Sequence, residues 1–114
     1  MNINNVELSF NIYTHDNFKL YQKSMSKLND FLKEVEESTL STMTKYKMNC
    51  VAISCFFDEL FGKGTSKKVF NSNSTMEDYC NSIFQIENER KKQASKISGI
   101  IYDLEIFRNK LSRK

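Results

Sequence analysis

Two runs of apolar residues, each spaced alternately three and four positions apart, constrain this chain more than any other feature. Phe18, Tyr21, Met25, Leu28, Leu32 and Val35 form the first, and Met43, Tyr46, Cys50, Ile53, Phe57 and Leu60 form the second. That spacing lines one face of an α-helix and neither face of a strand. Two stripes of equal length, separated by the polar cluster Glu36-Glu37-Ser38, predict helices over residues 14–37 and 40–61 folded back as an antiparallel hairpin. Thr14 or Asp16 is placed to cap the first of them. No proline and only three glycines are present, so the chain has few points at which it is forced out of a helix. At 114 residues, with nine Phe and five Tyr, a single domain around one core is expected.

The opening residues follow a different period. Val6, Leu8, Phe10 and Ile12 alternate with Glu7, Ser9 and Asn11, which predicts a strand with one buried face. Asn4-Asn5 precedes it, and asparagine tolerates positive φ, so residues 1–13 read as a β-hairpin that needs a helix or a partner to pack on.

Beyond the second helix, Gly62-Lys63-Gly64 breaks the pattern, and residues 62–73 read as a glycine-containing loop with a short helix capped by Thr65. Ser74-Thr75-Met76-Glu77 has the spacing of a capping box, with Ser74 as cap and Glu77 reaching back. Residues 75–113 then form one helix or two. The polar run Glu87-Asn88-Glu89-Arg90-Lys91-Lys92-Gln93 separates Met76, Tyr79, Cys80, Ile83 and Ile86 from a second apolar set, Ala94, Ile97, Ile101, Leu104 and Leu111, with Phe107 beside it. As one helix the segment would be about 55 Å long, and its far stripe would need another surface to cover it. The expected fold is mainly α: a short N-terminal β-hairpin followed by a three- to four-helix bundle with a long C-terminal helix.

Little in the chain points to chemistry. Gly62-Lys63-Gly64-Thr65-Ser66-Lys67 contains the residue types of a phosphate loop in the wrong order and after a helix instead of a strand. His15 is the only histidine, and Cys50 and Cys55 fall about 140° apart on a helix, so no zinc set is formed. Neither a cofactor nor a metal is expected. The adjacent carboxylates Glu36-Glu37 and Asp58-Glu59 read as solvated helix faces, and no nucleophile, base or acid stands out, which argues against an enzyme. Cys50, Cys55 and Cys80 each sit among apolar neighbours and are expected to be buried free thiols. No stretch is long and apolar enough for a membrane span, and no basic-then-apolar leader opens the sequence, so the expected location is the cytosol.

Charge is uneven along the chain. Residues 89–114 carry eight basic and three acidic side chains, among them Arg90, Lys91, Lys92, Lys96, Arg108, Lys110, Arg113 and Lys114. Glu87, Glu89, Asp103 and Glu105 interrupt that set and aromatic interleaving is poor, which ranks nucleic acid below protein as a partner.

The block from Phe56 to Phe70, Phe-Phe-Asp-Glu-Leu-Phe-Gly-Lys-Gly-Thr-Ser-Lys-Lys-Val-Phe, resembles that of a family of small proteins encoded by phages and prophages of Gram-positive bacteria. Met1 to Phe10 resembles the opening of the same family, and the similarity covers residues 1 to about 85, while the last 29 depart from it. The resemblance implies a tail assembly chaperone-like role in the cytoplasm of a bacterial host: holding the tape-measure protein soluble and helping tail tube subunits polymerise around it. It implies a phage tail tube or tape-measure protein as partner, together with a homo-oligomer. An inhibitor of a host defence protein is the alternative, and a nucleic-acid-binding regulator the third reading. The candidate interaction surface comprises Phe56, Phe57, Phe61, Lys67, Lys68 and Phe70 from the block, and Arg90, Lys91, Ile97, Ile101 and Leu104 from the C-terminal segment.

Overall fold

A computed structural model describes residues 1–112; Arg113 and Lys114, which belong to the expected basic end, lie outside the described residues. In chain order the elements are β1 (Asn2–Ile3), β2 (Val6–Glu7), α1 (His15–Glu37), α2 (Thr42–Phe61), α3 (Thr65–Val69) and α4 (Met76–Ser112). The protein is thus mainly α, with an N-terminal hairpin and a long C-terminal helix.

Asn4 and Asn5 adopt φ values of 51° and 67° and make the two-residue turn, a geometry that asparagine accepts more readily than most residues. Ile3 pairs with Val6 and Asn2 with Glu7, antiparallel. The expected strand over residues 6–12 is cut short at Glu7, because no third strand lies beside it among the described residues. Residues 8–13 carry on as an irregular segment beside α4, and the period-two pattern survives as alternate burial, ending in the buried Ile12.

Thr14 caps α1, its hydroxyl accepting from the Asn17 N–H at 3.2 Å, and Ser41 caps α2 in the same way through the Thr44 N–H. The two helices run antiparallel. Lys45 Nζ reaches the Glu36 carbonyl at 3.2 Å near the turn, and Lys27 meets Glu59 at 3.3 Å farther along. From the first stripe Tyr21, Leu28 and Val35 are buried, while Phe18 at its start remains exposed. From the second, Ile53 and Phe57 are buried, Phe56 joins them and Met43 stays outside.

Phe57 is the centre of the core. Its ring meets Phe56, Phe61 and Phe70 at centroid distances of 5.9, 5.6 and 5.2 Å, and Phe70 stacks on Tyr79 at 4.0 Å. The three Phe57 separations fall in the range where ring quadrupoles add to burial.

The glycine loop is a corner and not a ligand cradle. Gly62 ends α2 at φ 113° and ψ 152°, a region essentially confined to glycine. Asp58, in the last turn of α2, then accepts from the Ser66 N–H at 2.8 Å and the Ser66 hydroxyl at 3.0 Å. That carboxylate caps α3, correcting the expectation that Thr65 would. The Thr65 hydroxyl instead turns back to the Gly62 carbonyl at 2.7 Å.

One helix, not two, fills the C-terminal third. Its capping pair is shifted by one residue from the expected one: Thr75 Oγ1 accepts from the Asp78 N–H, and Asp78 accepts from the Thr75 N–H. Ser74 serves the preceding turn, accepting from the Asn71 N–H. The cysteines also depart from expectation. Cys55, which lies off the second stripe, is exposed, and Cys50 and Cys80 are only half-buried. Cys50 lies 3.7 Å from the Met76 sulfur, and its thiol is pushed up by desolvation first and by Cys80 second.

Candidate interaction surface

The polar run inside α4 joins the helix to the body. Gln93 is buried, and its side-chain amide substitutes for the peptide of a missing strand: Oε1 accepts from the Ile12 N–H at 2.9 Å, and Nε2 donates to the Phe10 carbonyl at 2.9 Å. One turn and a half earlier, Glu87 accepts from the Tyr21 hydroxyl and from the Arg90 guanidinium, 3.0 Å from Nε. The Arg90 hydrogen bond is the main cause holding the Glu87 carboxyl below its ordinary range. Burial, and then the bond to Glu87, pushes the Tyr21 hydroxyl well above its own.

Past Ile97 the body ends and the helix does not. Every residue from Ser98 to Ser112 is exposed. With about 1.5 Å of rise per residue, this leaves an arm of roughly 22 Å, and the long axis of the molecule reaches 67 Å against 32 and 21 Å across. The arm is not polar. Ile97, Ile100, Leu104, Phe107 and Leu111 recur at spacings of three and four, with Leu104 61% and Phe107 58% exposed. At about 100° per residue, Ile100, Leu104, Phe107 and Leu111 share a sector of about 60° with Ser82, Ile86 and Gln93, three residues that the body buries. One continuous helix face is therefore covered over its first half and bare over its second. A contiguous apolar stripe of this kind marks a contact surface.

The expected interaction residues divide between two fates. Phe56, Phe57 and Phe70 are core residues and offer no surface, and Phe61 packs against the same cluster. Lys67 and Lys68 are exposed on α3. Arg90 is committed to Glu87, Lys91 is exposed, and Ile97 packs at the end of the core. Only Ile101 and Leu104 of the original set stand on the bare arm. Ile100 and Phe107 complete the stripe, and their signal was present in the three-four spacing from Ile97.

Where the arm leaves the body, Ile12, Tyr13, Phe18, Ala94 and Ile97 line an open apolar groove of about 410 Å³. Lys96 lies over the Tyr13 ring at 5.7 Å, on its rim. Among the described residues no group of three or more His, Cys, Asp or Glu side chains gathers to hold a metal ion. No helix of the described residues is long and apolar enough to cross a membrane.

A small helical body with a projecting, apolar-faced arm defines a protein of the helical-bundle class. The chain belongs to DUF6673, a family of unknown function whose model matches residues 4–114. No curated protein and no solved structure matches it.

Proposed function

We propose that this protein is a non-catalytic binding factor that works through the distal face of α4, acting as a phage tail assembly chaperone or tail-morphogenesis accessory. The observation that carries the reading is the bare stripe Ile100, Leu104, Phe107 and Leu111. An amphipathic helix presenting such a row is suited to receive a second helix along the same row. The tape-measure protein, a long helical client by the resemblance of the Phe56 to Phe70 block, has the shape that this surface would hold soluble. The corner built by that block has a supporting role here: it sets α2 against α4 and so fixes the direction of the arm.

Co-expression with phage tail tube and tape-measure proteins tests the reading. The wild-type chain is expected to co-purify with the tape-measure protein, and the double substitution Leu104→Glu with Phe107→Glu is expected to abolish capture while leaving the helical content intact, since both side chains are exposed. Capture that is indifferent to this pair of substitutions, or no capture at all, sinks the proposal. Selective binding to a host defence protein under the same conditions would replace the tail role with inhibition.

A further inference from the structure

We infer that, in the absence of a client, the stripe is covered by a second copy of this chain, with the two arms antiparallel, Leu104 against Phe107 of the other copy and Ile100 against its Leu111. The inference rests on the reading of the distal α4 face as the working surface, and it adds the occupant, the direction and the register.

Periodicity sets the kind of contact. Ile97, Ile100, Leu104, Phe107 and Leu111 follow an unbroken three-four-three-four spacing, the seam of a two-stranded coil, with exposed Ile101 on its edge. The shape of the body sets the direction. Because the bare stripe continues the face that the body covers up to Ile97, a parallel partner would run its own helix into the space the body fills. An antiparallel partner avoids this: each arm ends where the other body begins, with its tip at the mouth of the groove formed by Tyr13, Phe18 and Ile97.

Charge sets the register. Lys96, Asp103 and Lys110 flank the seam on one side, and in an antiparallel pair such positions face their own kind across the interface. With Leu104 opposite Phe107, Asp103 of each copy faces Lys110 of the other, an attraction that the twofold symmetry makes twice. Slipping by one heptad, so that Ile97 meets Phe107, would place Asp103 against Asp103 and Lys96 against Lys110, both repulsive. Two heptads are a short seam, so the pair is reversible and a longer client helix can displace it.

Charge exchange, read by light scattering and sedimentation at low salt on the full chain, tests the inference. The wild type should associate with rising concentration. Asp103→Lys or Lys110→Asp alone should weaken association by about tenfold or more, turning two attractions into two repulsions. The combination D103K/K110D should restore it. A parallel pair would instead bring Asp103 opposite Arg108, so rescue by D103K/R108D and not by D103K/K110D overturns the antiparallel register. A wild type that stays monomeric at every concentration overturns the dimer altogether. Circular dichroism confirms that each exposed-site variant keeps its helix. Client capture by a strictly monomeric protein would remove this inference and leave the tail reading standing; a rescued dimer that captures no client would do the reverse.

Discussion

Gln93 illustrates how much a single side chain contributes when it replaces an element. It closes two backbone groups of the N-terminal segment, Ile12 N–H and Phe10 C=O, that no strand among the described residues pairs. Replacing it with leucine keeps the volume and leaves both groups buried and unpaired, so Gln93→Leu is expected to cost about 2 kcal/mol or more in urea unfolding. A neutral result would mean that residues 8–13 are anchored by apolar contacts alone. The Tyr21, Glu87 and Arg90 cluster predicts a pH profile with two limbs. Glu87 is held below its ordinary value of 4.5, so the stability it contributes is present above that pH and is lost as pH falls through its lowered value. Tyr21 is raised above its ordinary 10.0. Above pH 10 the unfolded chain sheds this proton while the folded one retains it, and stability falls as pH rises. Tyr21→Phe should therefore flatten the alkaline limb of a melting-temperature profile; an unchanged slope above pH 10 would remove Tyr21 as its source.

At the scale of elements, two glycines predict opposite outcomes. Gly62 holds φ 113° at the end of α2, where a Cβ is strained whatever space surrounds it, so Gly62→Ala should destabilise by about 1–3 kcal/mol. Gly99 lies within α4 just beyond the body, with nothing within 4 Å of a Cβ placed there, so Gly99→Ala should stabilise the arm by up to about 1 kcal/mol. Amide exchange over residues 98–112 would register that gain, and protection left unchanged would show that the arm's order is set elsewhere. The helices and their stripes were legible because burial repeats with the turn of the helix, and Asn4-Asn5 was legible because the turn demands φ that asparagine tolerates. Asp58 was not: a carboxylate next to Glu59 looks like a solvated face until α3 folds back and lays Ser66 against it. The strand over 6–12 was over-read for a related reason, since alternation reports one-sided burial and is silent on whether the neighbour is a strand or a glutamine on a helix.

For the molecule as a whole, sequence periodicity located the bare surface only in part. Ile101 and Leu104 were singled out, but the phase of the stripe depends on where the body stops, and that follows from the length of α1 and the path of residues 8–13, neither of which a local pattern encodes. The Phe56 to Phe70 block serves the interior more than the surface. Its aromatics, grouped with the candidate surface although Phe56, Phe57 and Phe61 fall on or beside the second stripe, fill the centre of the core around Phe57, and only Lys67 and Lys68 of that group are exposed.

The arm also has a hydrodynamic consequence. The radius of gyration is 18.2 Å, whereas a compact chain of this length would have about 13 Å, and a compact chain reaching 18 Å would hold roughly 260 residues. A lone copy should therefore tumble anisotropically and leave a sizing column ahead of a globular protein of its own mass.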